Sequence, residues 1–282
     1  MIPAEFEYHR AESVDDAVDA LGGGGEDAKL IAGGHSLLPL MKLRLAAPSL
    51  LVDISRLDEL RGIEEANGGW TIGGGTRHAD LETREDLGVV AHAASLIADQ
   101  QVRNRGTIGG SLAHGDPASD LPAVLLATEG DLEVQGQGGE RTITAPDLFE
   151  DYLTTSLQAD EVITAVRLPS LEGWGWGYEK YARRAEDWAM VGVCAMLKSA
   201  DGSCEDVRIG LTNMGSTPLR ATVAEEALRG EALDADRIAA AAERAAEGTD
   251  PPGDLNATPD YKRHLARVLT RRALEAAAGL RD

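Results

Sequence analysis

Basic side chains are scarce in this chain of 282 residues. Lys and Arg together number 27 against 48 Asp and Glu, and only five of the 27 are lysines, so the formal net charge is −21. Because nucleic acids and anionic membranes repel such a surface, neither is expected as a partner. An acidic, lysine-poor surface is also typical of a protein from a salt-rich cytoplasm, since salt screens its self-repulsion.

Cysteines and long apolar runs are also rare. The two cysteines, Cys194 and Cys204, are too few for a [2Fe–2S] cluster, and no spacing of His, Cys and Asp is typical of a zinc site. The sequence contains no run of 18 apolar residues, so no transmembrane helix is expected. The first residues lack the pattern of a secretory signal. We therefore expect a cytoplasmic protein without membrane insertion, with buried free thiols and with no metal of its own.

A glycine-rich stretch, residues 103–121, carries the most specific chemical signal and reads RNRGTIGGSLAHGDPASDL. Its residues Thr107, Gly109, Gly110 and Ser111 predict a loop that turns several backbone N–H groups toward one point. A concavity of N–H groups suits phosphate oxygens. The alternative is an ordinary glycine-rich turn between two helices.

A second loop of the same kind lies within residues 29–45, KLIAGGHSLLPLMKLRL. A short apolar strand precedes its motif, which is Gly33, Gly34, His35 and Ser36. Two Gly-Gly loops that each end in Ser predict a clamp on a pyrophosphate from two sides. Neither motif is a Rossmann G-x-G-x-x-G or a P-loop. A nicotinamide dinucleotide or ATP is therefore disfavoured as the ligand of these loops.

Two further features flank these loops. Ser119 and Asp120 precede an apolar run, residues 121–127, and predict the start of a helix. Asp120 then offers a carboxylate beside a phosphate-type loop, where the diol of a ribose is a suitable partner. The glycine cluster at 73–75, followed by Thr76, predicts a strand end and a tight turn, with a cofactor loop as the alternative.

These motifs, in this order and spacing, resemble those of the FAD-binding medium subunits of the molybdenum hydroxylases, the family of carbon monoxide dehydrogenase and xanthine dehydrogenase-like enzymes. A third stretch, YEKYARRAEDWAMVGVCAML at residues 178–197, resembles the segment that opens the C-terminal domain of that family. The resemblance implies non-covalent FAD in this chain. It also implies two partners, a small [2Fe–2S] subunit and a large subunit that carries the molybdenum cofactor, assembled as a dimer of heterotrimers.

The motifs and the resemblance together predict a set of cofactor-binding residues and no catalytic or metal-binding residue. Trp188 is expected to stack on the isoalloxazine, or else to be a core tryptophan. Lys180, with Arg183 and Arg184, is expected to balance the diphosphate, or else to form a surface patch. His35 is expected to donate to a phosphate or a flavin carbonyl, or else to lie in solvent. The predicted cofactor-binding residues are Ala32, Gly33, Gly34, His35, Ser36, Leu37, Thr76, Thr107, Ile108, Gly109, Gly110, Ser111, Ala118, Asp120, Leu168, Lys180 and Trp188.

The predicted fold is α+β in two domains, residues 1–172 and 173–282. The resemblance implies a two-part FAD-binding α/β domain of the PCMH type, then a smaller α+β domain with a three-stranded antiparallel sheet and helices. The boundary is expected within the Gly- and Pro-rich segment 169–177. The expected strands are 6–8, 30–32, 50–54, 62–65, 70–74, 132–135, 141–144, 161–168, 178–183, 190–198 and 207–211. The expected helices are 14–21, 79–87, 89–98, 121–127, 221–229, 235–246 and 260–279.

The predicted function is that of a flavin-binding electron-transfer subunit. Two other functions stay open at this point. One is a self-contained FAD-dependent oxidase or dehydrogenase of the same FAD-binding superfold, and the other is a non-catalytic nucleotide-binding module. A reducible bound flavin separates the first two from the third, and co-purification with iron–sulfur and molybdenum chains separates the first from the second.

Overall fold

The computed structural model describes residues 2–66 and 68–281. The helices are α1 (Val14–Gly24), α2 (Leu37–Lys42), α3 (His78–Glu82), α4 (Val89–Ser95), α5 (Gln100–Arg103), α6 (Ile108–His114), α7 (Asp120–Thr128), α8 (Ala145–Leu148), α9 (Thr222–Leu228), α10 (Ala235–Ala242) and α11 (Pro259–Ala277). The strands are β1 (Glu7–Arg10), β2 (Ala28–Ile31), β3 (Leu50–Asp53), β4 (Ile63–Ala66), β5 (Gly69–Gly73), β6 (Asp131–Gly136), β7 (Gly139–Thr144), β8 (Phe149–Asp151), β9 (Thr154–Thr155), β10 (Val162–Leu168), β11 (Trp174–Tyr181), β12 (Val191–Ala200), β13 (Ser203–Thr212) and β14 (Leu219–Arg220).

The first three strands form a parallel sheet in the order β1-β3-β2. Helix α1 packs on this sheet because its apolar residues recur on one face, which is buried. The Ser13 hydroxyl accepts a hydrogen bond from the N–H of Asp16 and fixes the start of the helix. Because β2 ends at Ile31, residues 32–37 leave the sheet at its edge and form the first glycine loop.

The middle of the chain forms a five-stranded antiparallel sheet in the order β4-β5-β10-β6-β7. Helix α7 shares its core with side chains of this sheet and also with Cys194 and Met196 of β12. Every residue of α7 is buried, because the helix lies between other helices and the C-terminal strands. This central position brings the start of α7 close to β11, which matters for the site below.

The C-terminal sheet is antiparallel, in the order β11-β12-β13-β14. One of its faces packs on α7, and helix α11 packs along β11 and β12. Strand β11 accepts this helix closely because Gly175 and Gly177 alternate with bulky residues. A Cβ at either glycine would come within 2.2 Å of a carbonyl oxygen of α11, those of Ala277 and Ala273 respectively. The sequence WGWGY is therefore a strand with one flat face.

The predicted α+β class is confirmed, with local differences. The sheet predicted with three strands has a short fourth strand, β14. Strand β11 begins at Trp174, inside the segment expected to be a linker, because its glycines serve helix packing. The helix expected at 79–87 is α3 followed by a separate 3₁₀ turn at Glu85–Leu87. Asn67-Gly68 predicts a turn between the strands expected at 62–65 and 70–74, and Asn67 lies outside the described residues.

The structure also bears on what the sequence predicts for the two cysteines and for membrane-spanning helices. Cys194 and Cys204 are both buried and unpaired, as expected. Among the helices of the described part of the chain, none is both long and apolar enough to cross a membrane. The division of the chain at residues 172 and 173 stays a prediction.

Candidate functional site

A cavity of about 600 Å³ runs between the first glycine loop, the start of α6 and the C-terminal sheet. Its volume lies in the range of small-molecule and cofactor sites. Most of the predicted residues line it, although they are scattered along the chain from Ala32 to Trp188. The lining residues among those predicted are Ala32, Gly33, Gly34, His35, Ser36, Leu37, Thr107, Gly109, Gly110, Ser111, Asp120, Lys180 and Trp188.

The first glycine loop offers unbonded backbone donors to this cavity. Within the described residues, no acceptor pairs with the N–H groups of residues 33–37, all of which line the cavity. Gly34 has a φ of +76°, a backbone conformation that would be strained in a residue with a side chain. Gly33 lies so close to the neighbouring backbone that a Cβ there would come within 2.2 Å of the Arg105 carbonyl oxygen. Five consecutive N–H groups at one cavity wall suit the oxygens of a diphosphate.

The second glycine motif is not an open loop but the first turn of α6. The Thr107 hydroxyl caps this helix by accepting from the N–H of Gly110 at 3.1 Å. The N–H of Gly109 donates to the Gly74 carbonyl at 2.9 Å, and that of Ser111 donates to the Thr107 carbonyl. The expected clamp by two sets of free N–H groups is therefore wrong on this side, because the helix and its cap use those donors. The Ser111 hydroxyl remains as a donor at the cavity.

A buried ion pair joins α7 to the C-terminal sheet at the cavity wall. Nζ of Lys180 lies 2.8 Å from Oδ2 of Asp120, and both side chains are almost fully buried. The hydroxyl of Tyr178 donates to Oδ1 of the same carboxylate at 2.6 Å. Burial raises the pKa of Asp120, while the Lys180 ammonium and the two hydrogen bonds oppose that rise.

This pairing bears on the roles predicted for Asp120 and Lys180. Each carboxylate oxygen of Asp120 already accepts one hydrogen bond, and each has a second lone pair. The contact between Asp120 and a ribose therefore stays a prediction. Lys180 also donates to the Leu96 carbonyl at 2.9 Å, which leaves one of its three N–H groups for a ligand.

His78 belongs to the cavity, although no pattern in the sequence singled it out. It lines the cavity with only 4% of its surface exposed, and its Nδ1 has no hydrogen-bond partner within the described residues. Burial, followed by the nearby charges of Arg103 and His35, lowers its pKa to about 4. The imidazole is therefore neutral at physiological pH. The signal in the sequence is its place just after the glycine cluster at 73–75 and Thr76, a stretch that predicts a strand end and a tight turn.

Four predicted residues lie outside the cavity lining: Thr76, Ile108, Ala118 and Leu168. Thr76 is buried, and its hydroxyl bonds to both the N–H and the carbonyl of Gly62, so it ties the end of β5 to the start of β4. Ile108 and Leu168 belong to the central hydrophobic core. Ala118 lies in the turn before α7, where its N–H bonds to Asp116.

The remaining predicted residues lie at the edge of the site or away from it. The Trp188 side chain is 57% exposed and lines the cavity beside Glu186 and Asp187, so the core-tryptophan alternative is wrong. Arg183 and Arg184 do not line the cavity. The segment 155–161, which no motif marked, contributes Thr155, Leu157, Gln158, Ala159 and Glu161 to the wall.

The described residues fit a flavin nucleotide. The buried Nδ1 of His78 needs a polar partner that the described chain does not supply. The unbonded N–H groups of residues 33–37 belong to half-buried or exposed residues and are free to donate to a ligand. A diphosphate satisfies the N–H groups, and an exposed indole at the rim can stack on a ring system. The fold and the cavity thus define a protein that binds a dinucleotide cofactor between an N-terminal α/β part and a C-terminal sheet.

Comparison with known proteins narrows this class. Residues 4–171 match the model of the FAD binding domain in molybdopterin dehydrogenase, and residues 176–277 match that of the CO dehydrogenase flavoprotein C-terminal domain. The carbon monoxide dehydrogenase medium chain of Hydrogenophaga pseudoflava is 44% identical, with 98% of each chain covered. The nicotine 6-hydroxylase medium subunit of Paenarthrobacter nicotinovorans is 41% identical, with 97% of each covered.

A solved structure agrees with these relatives. The structure of carbon monoxide dehydrogenase from Hydrogenophaga pseudoflava that lacks the Mo-pyranopterin moiety superposes with a TM-score of 0.96 at 45% identity, and 100% of each chain is covered. The chain therefore belongs to the family of FAD-binding medium subunits of the molybdenum-containing dehydrogenases and hydroxylases. The predicted family and cofactor are confirmed at this level.

Proposed function

We propose that this chain binds one FAD non-covalently in the 600 Å³ cavity and relays electrons from an iron–sulfur cluster of a small subunit to an external acceptor. The observation that carries the proposal is the row of unbonded N–H groups at residues 33–37 in a cavity that also holds Lys180 and Trp188. These donors match a diphosphate, and the indole matches an aromatic ring system. Bound FAD supplies the redox chemistry, and the protein supplies position and electrostatics.

Each wall of the cavity has a role in this proposal. The first glycine loop holds the diphosphate oxygens through its backbone N–H groups. The ammonium of Lys180, fixed by Asp120 and the Leu96 carbonyl, directs its remaining N–H group toward the cofactor. Trp188, exposed at the rim, covers one face of the isoalloxazine. Electron transfer of this kind needs no general acid or base from the chain.

The partners belong to the proposal as well. The relatives carry the names of medium chains and medium subunits, and those names refer to different substrates, carbon monoxide and nicotine. We infer that another chain selects the substrate. The proposed complex contains a small [2Fe–2S] subunit and a large molybdenum-cofactor subunit, assembled as a dimer of heterotrimers in the cytoplasm. The two buried, unpaired cysteines suit such a reducing compartment.

Two experiments test this function. Acid precipitation of the purified chain should release its flavin into the supernatant as FAD, and flavin that stays with the precipitate would contradict non-covalent binding.

The FAD-loaded chain alone should hydroxylate none of a panel of purines, aldehydes and carbon monoxide. Turnover should appear when the small and large subunits are expressed with it. Turnover by the lone chain at about 1–1000 per second would support a self-contained oxidase instead.

A further inference from the structure

A second pocket, of about 260 Å³, lies against the flavin cavity and is rich in arginine. Four arginines line it: Arg56, Arg61, Arg77 and Arg105. Ala32, Ile54 and Thr107 line both this pocket and the flavin cavity, so the two spaces share part of their walls. In a chain with a net charge of −21, a concave site lined by four arginines is an unexpected concentration of basic residues.

The local pairing of two chain segments creates the pocket. Arg77 and Thr107 form an antiparallel bridge, flanked by hydrogen bonds from the His78 N–H to the Gly106 carbonyl and from the Ile108 N–H to the Thr76 carbonyl. Alternate residues of paired segments face opposite sides. Arg77 and Arg105 therefore face the arginine pocket, whereas His78 faces the flavin cavity.

The other two arginines come from the turn after β3. Arg56 and Arg61 flank the 3₁₀ turn at Asp58–Leu60. Arg61 is held in place, because its guanidinium donates to the Ser55 carbonyl and pairs with Asp58 at 3.2 Å. The Asp58 carboxylate is 92% exposed and does not line the pocket, so it screens little of the positive charge inside.

The other three arginines have no carboxylate within ion-pair distance in the described chain, although the charge of Arg56 acts on Asp53 at longer range. Within residues 2–66 and 68–281, Arg56, Arg77 and Arg105 form no ion pair, although carboxylates are abundant in this chain. Several guanidinium groups around one pocket repel each other unless an anion lies between them. The planar guanidinium donates two parallel N–H groups and binds phosphate oxygens in a bidentate manner.

We propose that this pocket binds the phosphate group of a dissociable ligand that is separate from the FAD. The pocket is smaller than the sites that enclose whole drug-sized ligands, so it accommodates a phosphate or diphosphate group rather than a dinucleotide. Its concave shape and the four arginines in its wall favour a small oxyanion over the flat surface of a protein partner. The proposal does not depend on the electron-transfer function.

Titration of the FAD-loaded chain with inorganic phosphate and with pyrophosphate, by calorimetry in a phosphate-free buffer of low ionic strength, tests the proposal. Pyrophosphate should bind to the wild type at one site. Binding should weaken at least about tenfold in Arg77→Gln and in Arg105→Gln, because each removes one charge-assisted pair. The matched control is Arg272→Gln, which removes an exposed arginine of α11 that lies far from this pocket in the sequence and does not line it. The control should bind like the wild type.

Flavin content separates this site from the FAD site. Both arginine variants should retain the flavin-to-protein ratio of the wild type. A fall in FAD content that parallels the loss of pyrophosphate binding would overturn the proposal, since the arginines would then serve the FAD diphosphate. Absence of binding to the wild type, or equal binding by all variants, would overturn it too. If a variant misfolds by circular dichroism, Arg56→Gln replaces it, because Arg56 is exposed and forms no ion pair within the described residues.

Discussion

The ammonium of Lys180 and the carboxylate of Asp120 lie 2.8 Å apart and are almost entirely removed from solvent, 60 residues apart in the chain. The pair joins the first residue of α7 to β11, and its third member, Tyr178, also lies on β11. It therefore connects the part of the chain that carries the glycine loops to the C-terminal sheet. A contact of this kind both stabilises the structure and fixes the position of a cationic donor at the flavin cavity.

Lys180→Met should destabilise the chain strongly, because it leaves the Asp120 carboxylate buried without its cation. Removal of one partner from a buried pair costs about 3–5 kcal/mol. The control is Lys198→Met, which breaks the partly exposed pair with Glu205 and should cost at most about 1 kcal/mol. Urea denaturation of the three proteins measures the difference. The double variant Lys180→Met with Asp120→Asn should recover part of the loss, and equal stabilities of the two single variants would contradict the prediction.

Gly33→Ala should abolish FAD binding, because a Cβ at this position would come within 2.2 Å of the Arg105 carbonyl oxygen. The loop would have to move away from α6, and its N–H groups would leave their positions at the cavity. Gly23→Ala is the control, since its Cβ meets nothing within 4 Å and the residue lies in α1. It should retain FAD and gain about 0.5–1 kcal/mol of stability. Flavin absorbance per protein after gel filtration measures the outcome, and full occupancy of Gly33→Ala would contradict it.

Much of the fold and part of the site could be predicted from local patterns. The paired glycine motifs, the capped helix at α1 and the apolar strands depend on neighbouring residues, so the sequence reveals them. The N–H groups of Gly110 and Ser111 bond to Thr107, a local cap that was not predicted from the sequence pattern. The bond from the Gly109 N–H could not be predicted, because its acceptor is the carbonyl of Gly74, 35 residues upstream (109 − 74 = 35). His78 and the arginine pocket were missed for the same reason. The bridge between Arg77 and Thr107 positions His78, Arg77 and Arg105, and the turn after β3 adds Arg56 and Arg61. No local pattern indicates that these segments meet.

Trp188→Ala should change the bound flavin and leave the fold intact. The side chain is 57% exposed at the cavity rim, so its removal should alter the free energy of unfolding by less than about 0.5 kcal/mol. If the indole stacks on the isoalloxazine, its loss should raise flavin fluorescence and weaken FAD binding. The control is Trp176→Ala, which removes an indole that is 38% exposed but does not line the cavity. Unchanged flavin emission in Trp188→Ala would rule out stacking.

The buried histidine of the flavin cavity should make stability depend on pH. The pKa of His78 is about 4 in the folded chain, against 6.5 as its ordinary value, because burial disfavours the charged imidazole. Between these two values the unfolded chain binds more protons than the folded chain, so the free energy of unfolding rises with pH there. The contribution is fully present above pH 6.5 and is lost as the pH falls toward 4.

His78→Gln should remove this dependence, because glutamine does not titrate. Between pH 7 and pH 5, the wild type should lose about 2 kcal/mol more than the variant. Urea midpoints at both pH values, with FAD in the same excess, measure the difference between the proteins, so that titrating carboxylates common to both cancel. The control is His264→Gln, which replaces an exposed histidine of α11 and should keep the wild-type slope. If His78→Gln shows that same slope, the imidazole of His78 is not held neutral by burial in the folded chain.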